Sequence, residues 1–320
     1  MITSITNLAF EGGGVRGIAY GGALEALEKA GVLSKVQRVA GTSAGAITAC
    51  LVALKYSAQA ISEIVANMNL ASFEDKDHDL RKFKDFGLYE GQVFLEWLSE
   101  LVAASPVSQG SENLTFQGLV NNLGLELKVY ATDLFTHALK EFSPTATPNV
   151  RIAEAVRASM SIPLYFDAWK FSNNNPDDHF YVDGGVLYNY PIAAFDHVQS
   201  GQVNADTLGF QFENLSAAPI YTPFHKGELG KYLKSLVDTL MYTQSVAFSN
   251  SAVDALRTIT IDNLGVSSTD FEIDNVTKNK LIESGWNATI AYLQKQGVDT
   301  SGWAAPTLLA ENRAIGETLC

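Results

Sequence analysis

The sequence predicts an α/β fold organised on a parallel sheet. Residues 5–56 alternate short apolar runs with helical periodicity in the order strand, helix, strand, helix, a pattern that parallel strands joined through crossover helices satisfy. Glycine clusters stand where those strands give way to helices, at 12–14 and around 41–45. The 320 residues are 47% hydrophobic and 18% charged, which is ample for a sizeable core and unlike a disordered chain.

Residues 5–10 read as a short buried strand, and Ile18 to Gly31 places apolar residues at helical spacing with Gly31 as C-cap. Residues 36–41 give a second strand and 43–56 a second helix. Ser57 caps a further helix reaching about Met68. The charge-dense stretch 72–86 reads as a solvated loop or lid. A helix is expected near 91–103, a loop over 104–111, and adjacent strands at 125–134 and 137–143. Residues 151–160 are helical, with Pro163 as the stop. Residues 167–172 and 179–185 look like arms of a hairpin joined by the turn-rich run 173–178, and a strand follows at 207–213, where the sheet is expected to end. Beyond it, helical patterns at 231–250 and 279–297 flank a strand-like 257–262. With no linker and no internal repeat, one domain is expected over 1–320, with a core over 5–213 and a helical C-terminal region over 214–320.

A formal net charge of −13 sets the chain against the phosphate backbone, so nucleic acid is not expected as a partner. The same acidity argues against permanent residence on anionic membrane and leaves transient docking through an apolar rim. Of the two cysteines, Cys50 and Cys320, the first falls in an apolar helical stretch and reads as a small buried hydrophobe, so no disulfide framework is implied. The N-terminus carries no basic leader, and no run approaches the ~20 apolar residues of a membrane span, which makes a cytoplasmic location the expectation. No Cys/His cluster or calcium loop occurs at ligand spacing, so neither metal nor cofactor is expected.

The residues that carry chemistry fall in three places. Gly41-Thr42-Ser43-Ala44-Gly45 stands between an apolar strand and a helix, the context of a GxSxG nucleophile elbow. There the serine hydroxyl meets a helix N-terminus that favours negative charge, and the Ala44 amide is an oxyanion donor. Gly12-Gly13-Gly14-Val15-Arg16-Gly17 is a second strand-to-helix loop, whose consecutive glycines expose backbone amides with no Cβ in the way. It also satisfies GxGxxG, the phosphate loop of dinucleotide folds. That fingerprint expects an acidic residue on the next strand about 20 residues on, whereas here the strand runs into the serine elbow. Third, Tyr181-Val182-Asp183-Gly184-Gly185 ends an apolar strand on a carboxylate beside a glycine turn. The five histidines, His78, His137, His179, His197 and His225, fall in charged, turn-rich or Pro-flanked segments and read as surface residues. An aspartate that takes a serine proton directly must sit in a dry site that raises its pKa.

Taken in this order, the glycine loop, GxSxG and Asp-Gly-Gly resemble the pattern of the patatin-like phospholipase family. Ala131-Thr132-Asp133, the run from Ala158 to Pro163, and Asn189-Tyr190-Pro191 are further similar stretches, so the resemblance covers about 7–197. It implies a three-layer α/β/α sandwich around a mostly parallel sheet, and a catalytic dyad without histidine. It implies Ser43 as nucleophile and Asp183 as general base, Gly13 and Gly14 with Gly12 beside them as oxyanion glycines, and Arg16 in a structural or phosphate-facing role. Phospholipids or other acyl esters are the implied substrates, and homo-oligomers are compatible with it. A nucleotide-binding module built on loop 12–17 and a non-catalytic lipid-binding protein remain the alternatives.

Overall fold

The computed structural model describes residues 2–68, 89–123, 125–197, 201–215 and 252–306, together with 232, 235, 236, 239 and 240. The stretch 72–86 and most of the 231–250 helical pattern lie outside the described residues.

β1 (Asn7–Phe10) is buried along its whole length, as a strand covered on both faces must be. It pairs in parallel with β2 (Arg38–Thr42) on one side and β6 (Thr207–Glu213) on the other. β2 continues in parallel to β3 (Glu126–Asp133), and β4 (Ala138–Phe142) returns antiparallel along it. β5 (Tyr181–Asp183) also lies antiparallel on β3, and β7 (Thr258–Asp262) runs parallel to β6. The sheet order is β4-β3-β2-β1-β6-β7, with β5 off that path. This is the mostly parallel sheet flanked by helices that the sequence implies.

The sheet does not end at 213. Residues 258–262 alternate Thr and Ile, and that period of two buries Ile259 and Ile261 when the segment pairs with β6, from Gly209 opposite Thr258 to Glu213 opposite Asp262. Nor do 167–172 and 179–185 form a hairpin. Trp169 and Tyr181 make a single antiparallel bridge, because β5 is three residues long and takes β3 as its other partner.

α1 (Ala19–Lys29), α2 (Ala44–Ala53), α3 (Ala58–Asn67), α4 (Gln92–Ala104), α5 (Phe116–Leu123), α6 (Ile152–Ser159), α7 (Ala252–Leu256) and α8 (Asn275–Lys295) are the described α-helices. The Ser57 hydroxyl caps α3 by accepting from the Ala60 amide at 3.1 Å. α2 is apolar and buried all round, so it sits at the centre rather than on a surface. α1 and α8 touch backbone to backbone: a Cβ on Gly22 would collide with the Ile282 carbonyl, and one on Gly285 with the Ala19 carbonyl. Under the end of β1, Phe10 stacks on Phe210 at 5.0 Å and Tyr20 tilts against Phe212 at 4.9 Å, joining two strands to α1.

Candidate active site

The glycine loop leaves the carboxyl end of β1 and the serine elbow leaves that of β2, so parallel neighbours deliver both to one edge of the sheet. Ser43 sits at φ 54°, ψ −127°, a strained conformation for a residue with a Cβ. Its neighbours allow it. A Cβ on Gly45 would strike the carbonyls of Phe10 and Glu11, and one on Gly41 the carbonyl of Gly45. The Ser43 amide donates to Ser159 Oγ at 2.9 Å, and the Ser159 hydroxyl donates to the Tyr130 carbonyl at 2.6 Å.

Asp183 ends β5 fully buried, as does Ser43 on its elbow. Thr42, next to Ser43, pairs with Tyr130 of β3, and Asp183 pairs with Ala131. Asp183 is fixed by its backbone, the amide donating to the Ser161 carbonyl at 2.8 Å and the carbonyl accepting from Thr132 Oγ1 at 3.0 Å. Its Oδ1 accepts from the Gly185 amide at 2.7 Å. Oδ2 is buried with no hydrogen-bond partner among the described residues. The Ser43 hydroxyl is turned towards Met160 Sδ at 3.6 Å. Burial pushes the Asp183 pKa up to about 7, against the lowering effect of the Ser43 hydroxyl and the Gly185 amide.

The three loop glycines are not equivalent. The Gly12 amide donates to the Asn189 carbonyl at 2.9 Å, so the oxyanion role expected of Gly12 is corrected: its N–H is already committed. The amides of Gly13, Gly14 and Ala44 have no acceptor among the described residues. Gly17 faces Ala44 Cβ at 3.0 Å from where its own Cβ would lie, which brings the loop against the elbow. A Cβ on Gly184 would collide with the Tyr130 carbonyl, and Gly185 supplies the amide at Asp183. Arg16 Nε donates to the Val266 carbonyl at 2.7 Å.

Sequence reasoning gave no role to Ser159, Met160, Asn189 or Glu11. The buried Glu11 carboxylate accepts from the Phe212 amide at 2.6 Å and from Asn189 Nδ2 at 3.1 Å, tying the start of the glycine loop to β6. A carboxylate ending an apolar run, next to three glycines, was the available clue.

His137 and His197 are exposed, as expected, while His78 and His225 lie outside the described residues. His179 differs: it is half-buried, with Nδ1 2.8 Å from Asp133 Oδ2 and its ring stacked on Phe135 at 4.6 Å. Neither Ser43 Oγ nor Asp183 has a histidine partner among the described residues. Cys50 is buried and its thiol is pushed up to about 12, the inert hydrophobe expected. An apolar cavity of about 390 Å³, lined by Phe135, Pro163, Phe166, Val182 and Val186 among others, opens beside β5. Among the described residues no group of three or more His, Cys, Asp or Glu could hold a metal ion, and no helix is long and apolar enough to cross a membrane.

The chain matches the patatin-like phospholipase family over residues 8–196. It is 30% identical over 306 residues to the uncharacterized protein YqhO of Bacillus subtilis (strain 168), covering 89% of this chain and 97% of YqhO. The probable lipid hydrolase 463L of Invertebrate iridescent virus 6 is 27% identical over 187 residues, 58% of this chain and 61% of the viral one. VipD from Legionella pneumophila aligns with a TM-score of 0.65 at 16% identity, covering 91% of this chain and 67% of VipD. ExoU of Pseudomonas aeruginosa, in its heterodimeric complex with SpcU, aligns at 0.53 and 22% identity; the alignment covers 91% of this chain and 52% of that one. These two structural likenesses concern the fold.

Proposed function

This chain belongs to the patatin-like phospholipase family, and we propose that it is a lipid acyl hydrolase in which Ser43 attacks a carboxylic ester and Asp183 takes the proton. The observation that carries this reading is the unpartnered, buried Oδ2 of Asp183 beside a serine held on a strained elbow. A carboxyl with a pKa of about 7 is ionised in a large share of molecules at neutral pH and still basic enough to accept a proton. Rotation of the Ser43 hydroxyl from Met160 Sδ to Oδ2 makes the hydrogen bond that activates it.

Oγ then bonds to the ester carbon and its proton passes to Oδ2. The oxyanion forms against the unpaired amides of Gly13, Gly14 and Ala44, each donor lowering the barrier by ~3 kcal/mol, with the N-terminus of α2 adding its positive end. On collapse the carbon–oxygen bond of the ester breaks, and the leaving oxygen takes the proton back from Asp183 as alcohol or lysolipid. Water gives a proton to the same carboxylate and attacks the acyl-Ser43. The fatty acid leaves and Ser43 Oγ regains the proton. The apolar cavity beside Val182 and Val186 suits an acyl chain, and phospholipid or another acyl ester is the proposed substrate. The viral relative's description as a lipid hydrolase agrees with this reading.

A serine-reactive fluorophosphonate, followed by peptide mapping, tests the proposal. Labelling at Ser43 is expected. An unlabelled but folded protein would return the field to a lipid-binding protein without catalysis or a nucleotide module on loop 12–17.

A further inference from the structure

We infer that the connection after β7, residues 263–270, is the brace that aims the oxyanion glycines, so that a segment beyond the family match at 8–196 is part of the catalytic apparatus. The inference rests on the hydrolase reading above. Consecutive glycines have no side chains to fix their own backbone, so the aim of their amides must be imposed by what touches them. Gly14 stands at φ +54° with the Ser268 carbonyl where a Cβ would be. One residue on, the Val15 amide donates to that same carbonyl at 3.1 Å. One further on, Arg16 Nε donates to the Val266 carbonyl at 2.7 Å. Gly13 lies against the ring of Phe212, also beyond residue 196. Three consecutive residues of the loop, Gly14, Val15 and Arg16, are thus set by the Val266 and Ser268 carbonyls, and the one before them by Phe212 of β6.

The bracing side is itself rigidly built. Leu264 (φ +56°) and Gly265 (φ +74°) form a left-handed turn. The Leu264 amide donates to Asp262 Oδ1 at 2.9 Å, the Gly265 amide to Asn263 Oδ1 at 2.9 Å, and the Val266 amide to the Asn263 carbonyl at 2.9 Å. The Asn263 amide is fastened to the Glu213 carbonyl at the end of β6, and Ser284 Oγ of α8 donates to the Asp262 carbonyl. α8 in turn is locked on α1, which continues from the glycine loop, by the close approaches at Gly22 and Gly285. The turn therefore offers the Val266 and Ser268 carbonyls from a fixed platform. Arg16 is on this account a positioning residue that acts through Gly13 and Gly14.

The test uses the full chain and two variants on opposite sides of the contact, Arg16→Lys, which keeps the charge but loses the Nε donor, and Gly265→Val, which strains the turn. Three readouts are followed: kcat and KM on a short-chain p-nitrophenyl ester, the rate of fluorophosphonate labelling at Ser43, and hydrogen exchange of the Val15 amide. A displaced oxyanion loop lowers kcat and the labelling rate together by roughly ten- to a hundredfold and leaves KM within about twofold, because an oxyanion contact exists only in the transition state. Exchange at Val15 accelerates in both variants, and the double variant is no slower in turnover than the worse single one. Should Gly265→Val fail to fold, Gly265→Ala takes its place. Unchanged exchange and labelling in folded variants overturn the brace, as does faster exchange with turnover and labelling untouched. A wild-type chain that does not label at Ser43, while its Val15 exchange still responds to both variants, overturns the hydrolase reading and leaves the brace standing.

Discussion

The backbone amide of Ser43 donates to the hydroxyl of Ser159, 2.9 Å away at the end of α6. That hydroxyl in turn donates to the Tyr130 carbonyl at 2.6 Å, so one small side chain ties the strained elbow to the neighbouring strand. Ser159→Ala leaves the buried Ser43 amide without an acceptor. A loss of about 1–3 kcal/mol is expected, with turnover of a soluble ester down by about tenfold. Urea unfolding and steady-state kinetics check it; an unchanged midpoint would show that the elbow holds its strain without help.

Asp183→Asn separates activity from stability. Asn keeps the shape of the side chain but takes no proton, so turnover is expected to fall nearly as far as in Ser43→Ala. In the wild type the rate should drop as pH falls through about 7, because the base is lost on protonation. Stability runs the other way. The folded pKa of about 7 lies above the ordinary 3.8, so between those values the native state binds more protons than the unfolded chain, and stability falls as pH rises across that window. The Asn variant escapes this loss. It should be more stable than wild type at pH 8, by of order 1–4 kcal/mol, and no more stable at pH 4. Thermal melts at the two values decide it.

Gly45→Ala is expected to cost about 3 kcal/mol or more and to lower the soluble yield, since its methyl would run into the carbonyls of Phe10 and Glu11, backbone that cannot step aside. Gly110→Ala, in open space at φ +83°, should cost only about 1 kcal/mol. Equal effects on the melting temperature would refute the close-packing account of the elbow.

Alanine in place of His137, His179 or His197 should leave most ester hydrolysis intact, because no histidine bonds to Ser43 Oγ or Asp183 among the described residues. His179→Ala is the informative member. It removes the partner of Asp133 Oδ2 and the ring beneath Phe135, so a lower melting temperature with preserved turnover is the expected outcome. Loss of turnover in a folded His179 variant would replace the dyad with a histidine-assisted site.

What the sequence reveals of this site is what lies close along the chain. Gly41, Ser43 and Gly45 belong to one turn, and the steric need for two glycines around a left-handed serine is visible in five consecutive letters. The same holds for Asp183 and the Gly185 amide that reaches back to it. The misread features depend on distant partners. The Gly12 amide is spent on a carbonyl at Asn189, 177 residues further along the chain. Residues 257–262 read only as strand-like, because nothing local says that β6 has a free edge. α5 went unread because Gly118 and two asparagines dilute its periodicity, and tertiary packing of Phe116 and Leu119 makes up the difference.

Thr42 and Asp183 are paired with Tyr130 and Ala131, adjacent residues of β3, so the elbow that carries Ser43 and the strand that ends in Asp183 are indexed to one strand. Alternate residues of a strand face opposite sides, and a one-residue deletion between 126 and 130 would shift the partners of β2 by one position and leave those of β5 where they are. Ser43 and Asp183 would then fall out of step with every side chain still present. Changes in length at the exposed tip 109–113 leave this pairing frame untouched. Tolerance to insertion and deletion should therefore divide sharply along the chain, with the forbidden zone lying in a strand that contributes no reacting atom.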